Sequence, residues 1–296
     1  MLSICIPVFN SDPRILVMEL HRQADSLGED TEILLLDDGS REEIRALNRD
    51  LRDLPRVRYE ELPENTGRSR TRNLLAGKAR NPLLLFLDSD MQVDNPRYLA
   101  HYLDLTDGHQ VVCGGHAYQT APPSSELMLH WKAGRKRESI PAAERNKNPH
   151  RSFMTANFLI RQNVFGRISF SEQLRGYGHE DTLFGYQLKK MGIPVFHTDN
   201  PAVHTGLEPA AILLEKTRQA MGNLLAVEKM LENDPEFSQM VKVLKARQKL
   251  SRLRLGGLYR LAFTAGRSGL EKNLLGSRPS LRAFDLYKLG LLIQAI

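Results

Sequence analysis

Only two cysteines occur in the 296 residues, Cys5 and Cys113, each inside an apolar run and without C-x-x-C spacing. That argues against a disulfide framework or a cysteine zinc site and favours a reducing compartment. No stretch approaches the run of about 18 uninterrupted apolar residues that a transmembrane helix needs. The opening MLSICIPVFN has neither a basic leader nor a small-residue cleavage site, so the chain is expected to be cytoplasmic. No G-x-G-x-x-G follows the first apolar run, which argues against a dinucleotide oxidoreductase. A glycine-rich loop with a basic residue, as a sugar nucleotidyltransferase would carry there, is also missing. No internal repeat is visible.

The composition itself, 41% hydrophobic and 26% charged, is that of a folded globular chain. Its charge of +6 is uneven: residues 241–296 hold twelve Lys or Arg against Glu271 and Asp285, so this region carries +10 and the first 240 residues −4. The basicity belongs to the end of the chain and says little about the front.

Along the front, strand-like and helix-like segments alternate. Ser3–Val8 reads as a strand, Asp12 and Pro13 as the start of a helix that Gly28 stops, and Glu32–Leu36 as a second strand ending in DDGS. Ser40 and Glu43 have the spacing of a capping box. Strand Val57–Leu62, a helix over 68–79, strand Leu83–Leu87, a helix opened by Asn95 and Pro96, and a strand over 109–119 continue the pattern. This predicts an α/β fold with a doubly wound, mostly parallel sheet and helices on both faces. From Thr120 to Arg151 periodicity fails, and a long loop is expected. FMTANFLI restores a strand, HEDTLFGYQLKKMG reads as a helix closed by Gly192, and Ile193–Phe196 as another strand. From Glu208 on the chain reads as helical. The expected division is a domain over 1–206 and a basic helical region over 207–296.

Acidic pairs fall at predicted strand ends and loops: Asp37 with Asp38, Asp88 with Asp90, and Glu180 with Asp181. The run LLLFLDSD puts two carboxylates at the carboxyl end of a buried strand, where open α/β sheets bind ligands and where like charges need a cation or donor between them. A hard divalent ion such as Mn²⁺ or Mg²⁺ suits such a pair, completing its shell with substrate phosphate oxygens. Taken one at a time, each pair also reads as a helix cap or solvated loop.

The ordered pieces SICIPVFN, LLLDDGS, NTGRSRTRN, LFLDSD, TANFLIRQNVF and GYGHEDTLFGYQLKKMG resemble the family 2 glycosyltransferases of the GT-A fold over roughly residues 1–206. The resemblance implies transfer of a sugar from a nucleotide diphosphate donor, with a UDP-sugar expected, to a hydroxyl of a glycan or lipid-linked acceptor. By that resemblance Pro7, Phe9 and Asn10 flank the base, Asp37 or Asp38 holds uracil and ribose, and Gly39 and Ser40 make the tight turn. Gly67, Arg72 and Asn73 match the family's next motif. Asp88, Ser89 and Asp90 meet ribose, diphosphate and metal, and Asn157 with Phe158 lies on the sugar side. Asp181 is the implied general base of an inverting reaction, and Glu180 the recogniser of hydroxyls. A histidine is implied as a further metal ligand: His204 by position, with His197 as the second choice. Trp131 either stacks on an acceptor sugar or anchors its loop.

Other readings are weaker. The basic end could bind nucleic acid, but it matches no known reader and the front is acidic; a non-catalytic nucleotide-sugar-binding partner of an enzyme is disfavoured by intact DSD and ED motifs. The end reads equally as a surface for an anionic membrane, making the protein peripheral, or as a packing or homodimer element.

Overall fold

Alternate residues of the first strand, β1 (Leu2–Val8), enter two different cores: Leu2, Ile4, Ile6 and Val8 one, Cys5 the other. In this computed structural model, which describes residues 1–27, 30–174 and 176–295, the elements that follow are α1 (Arg14–Leu27), β2 (Thr31–Asp37), α2 (Glu42–Asn48), β3 (Val57–Glu61), α3 (Arg68–Lys78), β4 (Leu83–Leu87), β5 (Met91–Gln92), α4 (Tyr98–Leu103), β6 (Val111–Cys113) and β7 (His116–Ala117). Then come α5 (Met128–Arg137), α6 (Ala142–Arg145), β8 (Asn157–Arg161), α7 (Gln162–Ile168), α8 (Glu180–Lys190), β9 (Phe196–His197) and β10 (Ala202–His204). The chain ends in α9 (Ala210–Met230), α10 (Pro235–Met240), α11 (Lys242–Arg252), α12 (Gly256–Leu274) and α13 (Leu281–Gln294).

Seven strands form one sheet in the order β3-β2-β1-β4-β8-β6-β9. The first four are parallel, and β8 runs antiparallel to both neighbours. Because β4 sends Leu83, Leu85 and Leu87 to one face and Leu84 and Phe86 to the other, each face needs its own cover. Leu16, Val17 and Leu20 of α1 with Tyr98, Leu99 and Tyr102 of α4 cover the first. Leu75 of α3, Phe165 of α7 and Phe184 of α8 join the second, where Phe86 stacks on Phe158 at 4.9 Å between centroids. Each such buried side chain contributes roughly 1.5–3 kcal/mol. The chain runs outward from β1 through β2 to β3, then returns to lay β4 on the other side of β1. The crevice at the carboxyl ends of β1 and β4 is therefore the topological switch point, the ligand-binding place of such sheets.

The chain falls into two compact units: Met1–Gln119, Glu138–Gln173 and Glu180–Gly206 form one, and Thr120–Arg137, Leu174–His179 and Leu207–Ile296 the other. The second has its own core, in which Leu129 and Ala133 of α5 meet Leu213 and Leu214 of α9, Phe263 of α12, and Phe284 and Tyr287 of α13. No helix among the described residues is long and apolar enough to cross a membrane.

Several local expectations are corrected. Ser40 does not cap α2: its Oγ accepts from Asn10 N at 2.7 Å, and the helix starts after Arg41 with no side-chain cap. The strand expected over 109–119 breaks into β6 and β7, because Gly114 and Gly115 lie between them and Gly115 sits at φ +90°. The Arg145 guanidinium occupies the space a Cβ at Gly115 would take. The expected long loop after Thr120 contains α5, whose charged faces hid its helical spacing, and α6, a single turn too short to show one. Ile193 and Val195 enter the core from coil, and the strand there is Phe196–His197. The helix expected from Asn95 begins at Tyr98. Gly28 lies outside the described residues.

Candidate active site

Leaving β4, the chain makes the Asp88–Asp90 turn and pairs at once as β5 with β10, Met91 opposite His204 and Gln92 opposite Val203. This antiparallel register carries His204 across more than a hundred residues of chain to place its Nε2 3.3 Å from Asp90 Oδ2. Burial alone would lower the His204 pKa, but the Asp90 carboxylate more than reverses this and raises it. Asp90, which burial alone would raise, is in turn held below the ordinary carboxylate range by His204 and Arg68.

The same strap holds Asp90 from behind. Thr205 N and Oγ1 donate to the Asp90 carbonyl at 2.9 and 2.8 Å. A Cβ on Gly206 would lie 2.8 Å from Asp90 Cβ and 2.9 Å from Cγ, and closer still to Oδ2. Only glycine lets the strap approach this carboxylate. Gly206→Ala is expected to displace the whole Asp90 side chain and with it the contact to His204, so that the raised His204 pKa falls, with thermal unfolding near that of the unaltered protein. An NMR titration in which His204 keeps its raised pKa would show that the close approach is incidental.

Asp88 faces the other way. Its Oδ1 takes a 2.6 Å bond from Arg72 Nη2, and Arg72, on α3, is 1% exposed with Nε and Nη1 lacking partners among the described residues. Buried donors left over beside an acidic turn are what an anionic ligand would satisfy. Between the two strand ends Ser11 and Ser89 share a 2.6 Å hydroxyl contact, and a cleft of about 290 Å³ opens there, lined by Ser11, Asp12, Ile15, Ser89, Asp90 and Thr205. Phe9 and Asn10 are exposed beside it, Asn10 at φ +50° with its Oδ1 accepting from Arg41 N, and Pro7 is half-buried.

Asp37 and Asp38 are buried as loop clamps. Asp37 accepts from Ser40 N at 2.7 Å and Tyr59 Oη at 3.1 Å. Asp38 Oδ1 accepts from Thr66 N and Oγ1, and its Oδ2 from Gly67 N at 2.9 Å, so DDGS is tied to the NTG turn ahead of α3. Gly39, at φ +78°, has no room for a Cβ against the backbone of Glu64 and Asn65. Asn73 lies apart from the turn, bonding Phe170 N and O and Glu172.

Glu180 and Asp181 open α8, where the helix dipole favours negative charge. Glu180 lies 3.9 Å from Arg68 Nη1. Asp181 accepts from Thr182 N at 2.6 Å. Burial first, and the Glu180 charge second, push its pKa to about 6, against the opposing pull of Thr182 and Arg72. A carboxylate poised near neutrality is suited to accept a proton.

The geometry thus gathers Asp88, Ser89, Asp90, His204 and Arg72, with electrostatic reach from Arg72 to Asp181. It separates two of the expected residues. His197 is buried, its Nδ1 accepting from Arg145 Nη1 at 2.7 Å and its Nε2 donating to Pro149 O at 2.9 Å, and burial drives its pKa to about 4. With both ring nitrogens engaged it offers nothing to a metal. Asn157 is corrected as a sugar contact: it accepts from the hydroxyls of Tyr98 and Tyr102 and donates to Gly115 O and Asn200 O, leaving no atom for a ligand. It is a buried post between β8 and α4. Phe158 is core, and Trp131, in the other unit, lies under Arg135 at 5.0 Å. Sequence reasoning missed Ser11, Thr205 and Gly206; the HTG run after the last strand was the available signal for two of them.

Among the described residues no three His, Cys, Asp or Glu side chains converge tightly enough to hold an ion by themselves. Two groups, Asp90 and His204, do meet, with Asp88 on the same turn. That fits a hard cation that takes few protein ligands and keeps positions for phosphate and water.

The model of glycosyl transferase family 2 matches residues 3–169. Validoxylamine A glucosyltransferase of Streptomyces hygroscopicus subsp. limoneus is 29% identical over 225 residues, 66% of this chain and 49% of that protein, so the chain spans about half the length of the curated relatives it matches. Among solved structures, S. aureus TarS 1–349 superposes with a TM-score of 0.52 at 17% identity, covering 99% of this chain and 90% of that one. The Pyrobaculum calidifontis mannosyltransferase PcManGT, solved with GDP-Man and Mn²⁺, gives 0.53 at 12% identity, covering 99% and 85%. Glucosyl-3-phosphoglycerate synthase of Mycobacterium tuberculosis, solved with Mn²⁺ and UDP, gives 0.52 at 18%, covering 77% and 79%. With the DSD turn at the switch point of a mostly parallel sheet, the chain belongs to glycosyl transferase family 2 and has the GT-A fold.

Proposed function

We propose that the protein transfers a sugar from a nucleotide diphosphate donor, a UDP-sugar by preference, to a hydroxyl of a glycan or lipid-linked acceptor, with inversion and with Mn²⁺ or Mg²⁺ as cofactor. The observation that carries this reading is the meeting of Asp90 and His204 at the carboxyl end of β4, beside Asp88 and the buried Arg72.

In this reading Phe9 and Asn10 border the base, and Asp38 Oδ2, which accepts from Gly67 N, has a lone pair left for a uracil N–H. Asp90 and His204 would hold the cation, with Asp88 on the same turn. When bound, the cation neutralises the diphosphate as it leaves. His204 must give up its proton to ligate, so cation binding releases a proton and weakens as pH falls. Arg72 adds positive charge from the other side of the turn and keeps Asp88 from repelling Asp90. Asp181 takes the proton of the acceptor hydroxyl as the oxygen attacks the anomeric carbon, and Glu180 orients that acceptor by its hydroxyls. The basic C-terminal region brings the protein to an anionic membrane face, where lipid-linked acceptors reside. The TarS structures with UDP and UDP-GlcNAc, and the synthase structures with UDP, support the uridine preference.

A panel of UDP- and GDP-sugars offered with Mn²⁺, read as slow donor hydrolysis, is the test. Turnover of a UDP-sugar that EDTA abolishes is the expected outcome; no metal-dependent turnover or binding of any nucleotide sugar would overturn the reading.

A further inference from the structure

Between Phe237 and Leu270 the sequence has eight Lys or Arg and no acid. The middle of this stretch, RLRLGGLYRL, is the elbow where α11 ends and α12 begins, turned by Arg254 at φ +56°. Four of its leucines stand in solvent: Leu253 is 56% exposed, Leu255 40%, Leu258 65% and Leu261 70%. Arg252, Arg254 and Arg260 stand among them, and no ion pair joins any of the three to an acid among the described residues. Arg247 and Arg267, by contrast, are spoken for by Glu228 at 2.6 Å and Glu271 at 3.0 Å. Beside the leucines lies a cleft of about 350 Å³ lined by Arg247, Ser251, Gly256, Gly257, Arg260 and Ile293.

Exposed leucines alone would suit any apolar partner. Arginines interleaved with them, with no acid in the stretch, restrict the partner to a surface that is apolar beneath and anionic above. A second copy of this elbow would set arginine against arginine. We propose that the elbow is a membrane-docking surface for anionic phospholipid, with Leu253, Leu255, Leu258 and Leu261 entering the acyl boundary and Arg252, Arg254 and Arg260 meeting headgroup phosphates. This rests on the peripheral-membrane part of the reading above and assigns it to one segment. α12 buries only Phe263 and Leu274, so its outer face can lie on a bilayer without unpacking the helix.

The test is co-sedimentation of the full chain with vesicles of phosphatidylglycerol and phosphatidylcholine, against pure phosphatidylcholine, at low and high salt. Binding should require the anionic lipid and weaken with salt. Leu258→Ser with Leu261→Ser, both exposed and so tolerated by the fold, should reduce partitioning roughly tenfold or more, and Arg254→Glu with Arg260→Glu by a similar factor. UDP binding in the presence of Mn²⁺ should persist in all variants. If the intact chain binds and the variants bind equally, the elbow assignment falls while the peripheral reading stands. If the intact chain ignores anionic vesicles at low salt, both fall, and the donor-binding titration still judges the transferase reading separately. A concentration-dependent dimer in ultracentrifugation that Leu258→Ser with Leu261→Ser abolishes would overturn the proposal in favour of a second copy.

Discussion

Asp181→Asn is expected to bind the donor nucleotide as well as the unaltered protein does and to lose about 10²–10⁴-fold in the rate of transfer, because the amide keeps the shape of the carboxylate and cannot accept a proton. The unaltered enzyme should show the titration directly. With the Asp181 pKa raised to about 6 by burial and Glu180, kcat should climb as pH rises through 6 and level off above it, each pH unit below costing about tenfold. The same shift has a stability sign. A carboxyl whose folded pKa lies above its unfolded value favours the native state only while protonated, so that contribution is present below about pH 4 and lost as pH rises through 6. Asp181→Asn should therefore be at least as stable at neutral pH as the unaltered protein. Single-turnover transfer that survives the substitution would remove Asp181 as the base.

Arg72→Ala should be the most destabilising single change in this site. The guanidinium is buried, pairs Asp88 at 2.6 Å, and lies 5.6 Å from the Phe170 ring centroid. Removing one member of such a pair leaves Asp88 facing Asp90 with no cation of the protein's own on its side, at a cost of about 3–5 kcal/mol. It also removes a charge that pulls the Asp181 pKa down, so any remaining activity should have its pH midpoint above 6. Arg72→Lys keeps the charge but not the planar fork, and should restore the pH profile better than the stability. Urea unfolding of the alanine variant at the unaltered midpoint would show that the pair contributes nothing.

The strands were legible where apolar runs such as LLLFL in 83–87 and SICIPV in 3–8 belong to strands buried on both faces, and the acidic pairs sat where those runs stopped. What could not be read was anything fixed by pairing across the sheet. His204 and His197 lie seven residues apart in similar sequence, and only the register of β5 with β10 brings one to Asp90 while β9 delivers the other to Arg145. Asn157 was expected on the sugar side through the family resemblance alone; a buried amide needs partners, and the tyrosines of α4, at helical spacing, supply them. Ser40 looked like a cap because spacing alone cannot tell that Asn10 N would claim its hydroxyl first. α5 was hidden because a helix rich in Arg and Lys carries no clear apolar stripe, and α6, AAER, because a single turn is too short to show one.

In the proposed reaction Asp90 and His204 would hold a divalent cation through which the donor diphosphate binds. Calorimetric titration of UDP into the protein tests it most directly, with Mn²⁺ or with EDTA, and then with Asp90→Ala under the same two conditions. Tight binding is expected only for the unaltered protein with Mn²⁺, with affinity at least about 10²-fold lower in the other three cases; equal affinity with and without the metal, or an Asp90→Ala variant that binds as well as the parent, would rule the Asp90–His204 cation site out.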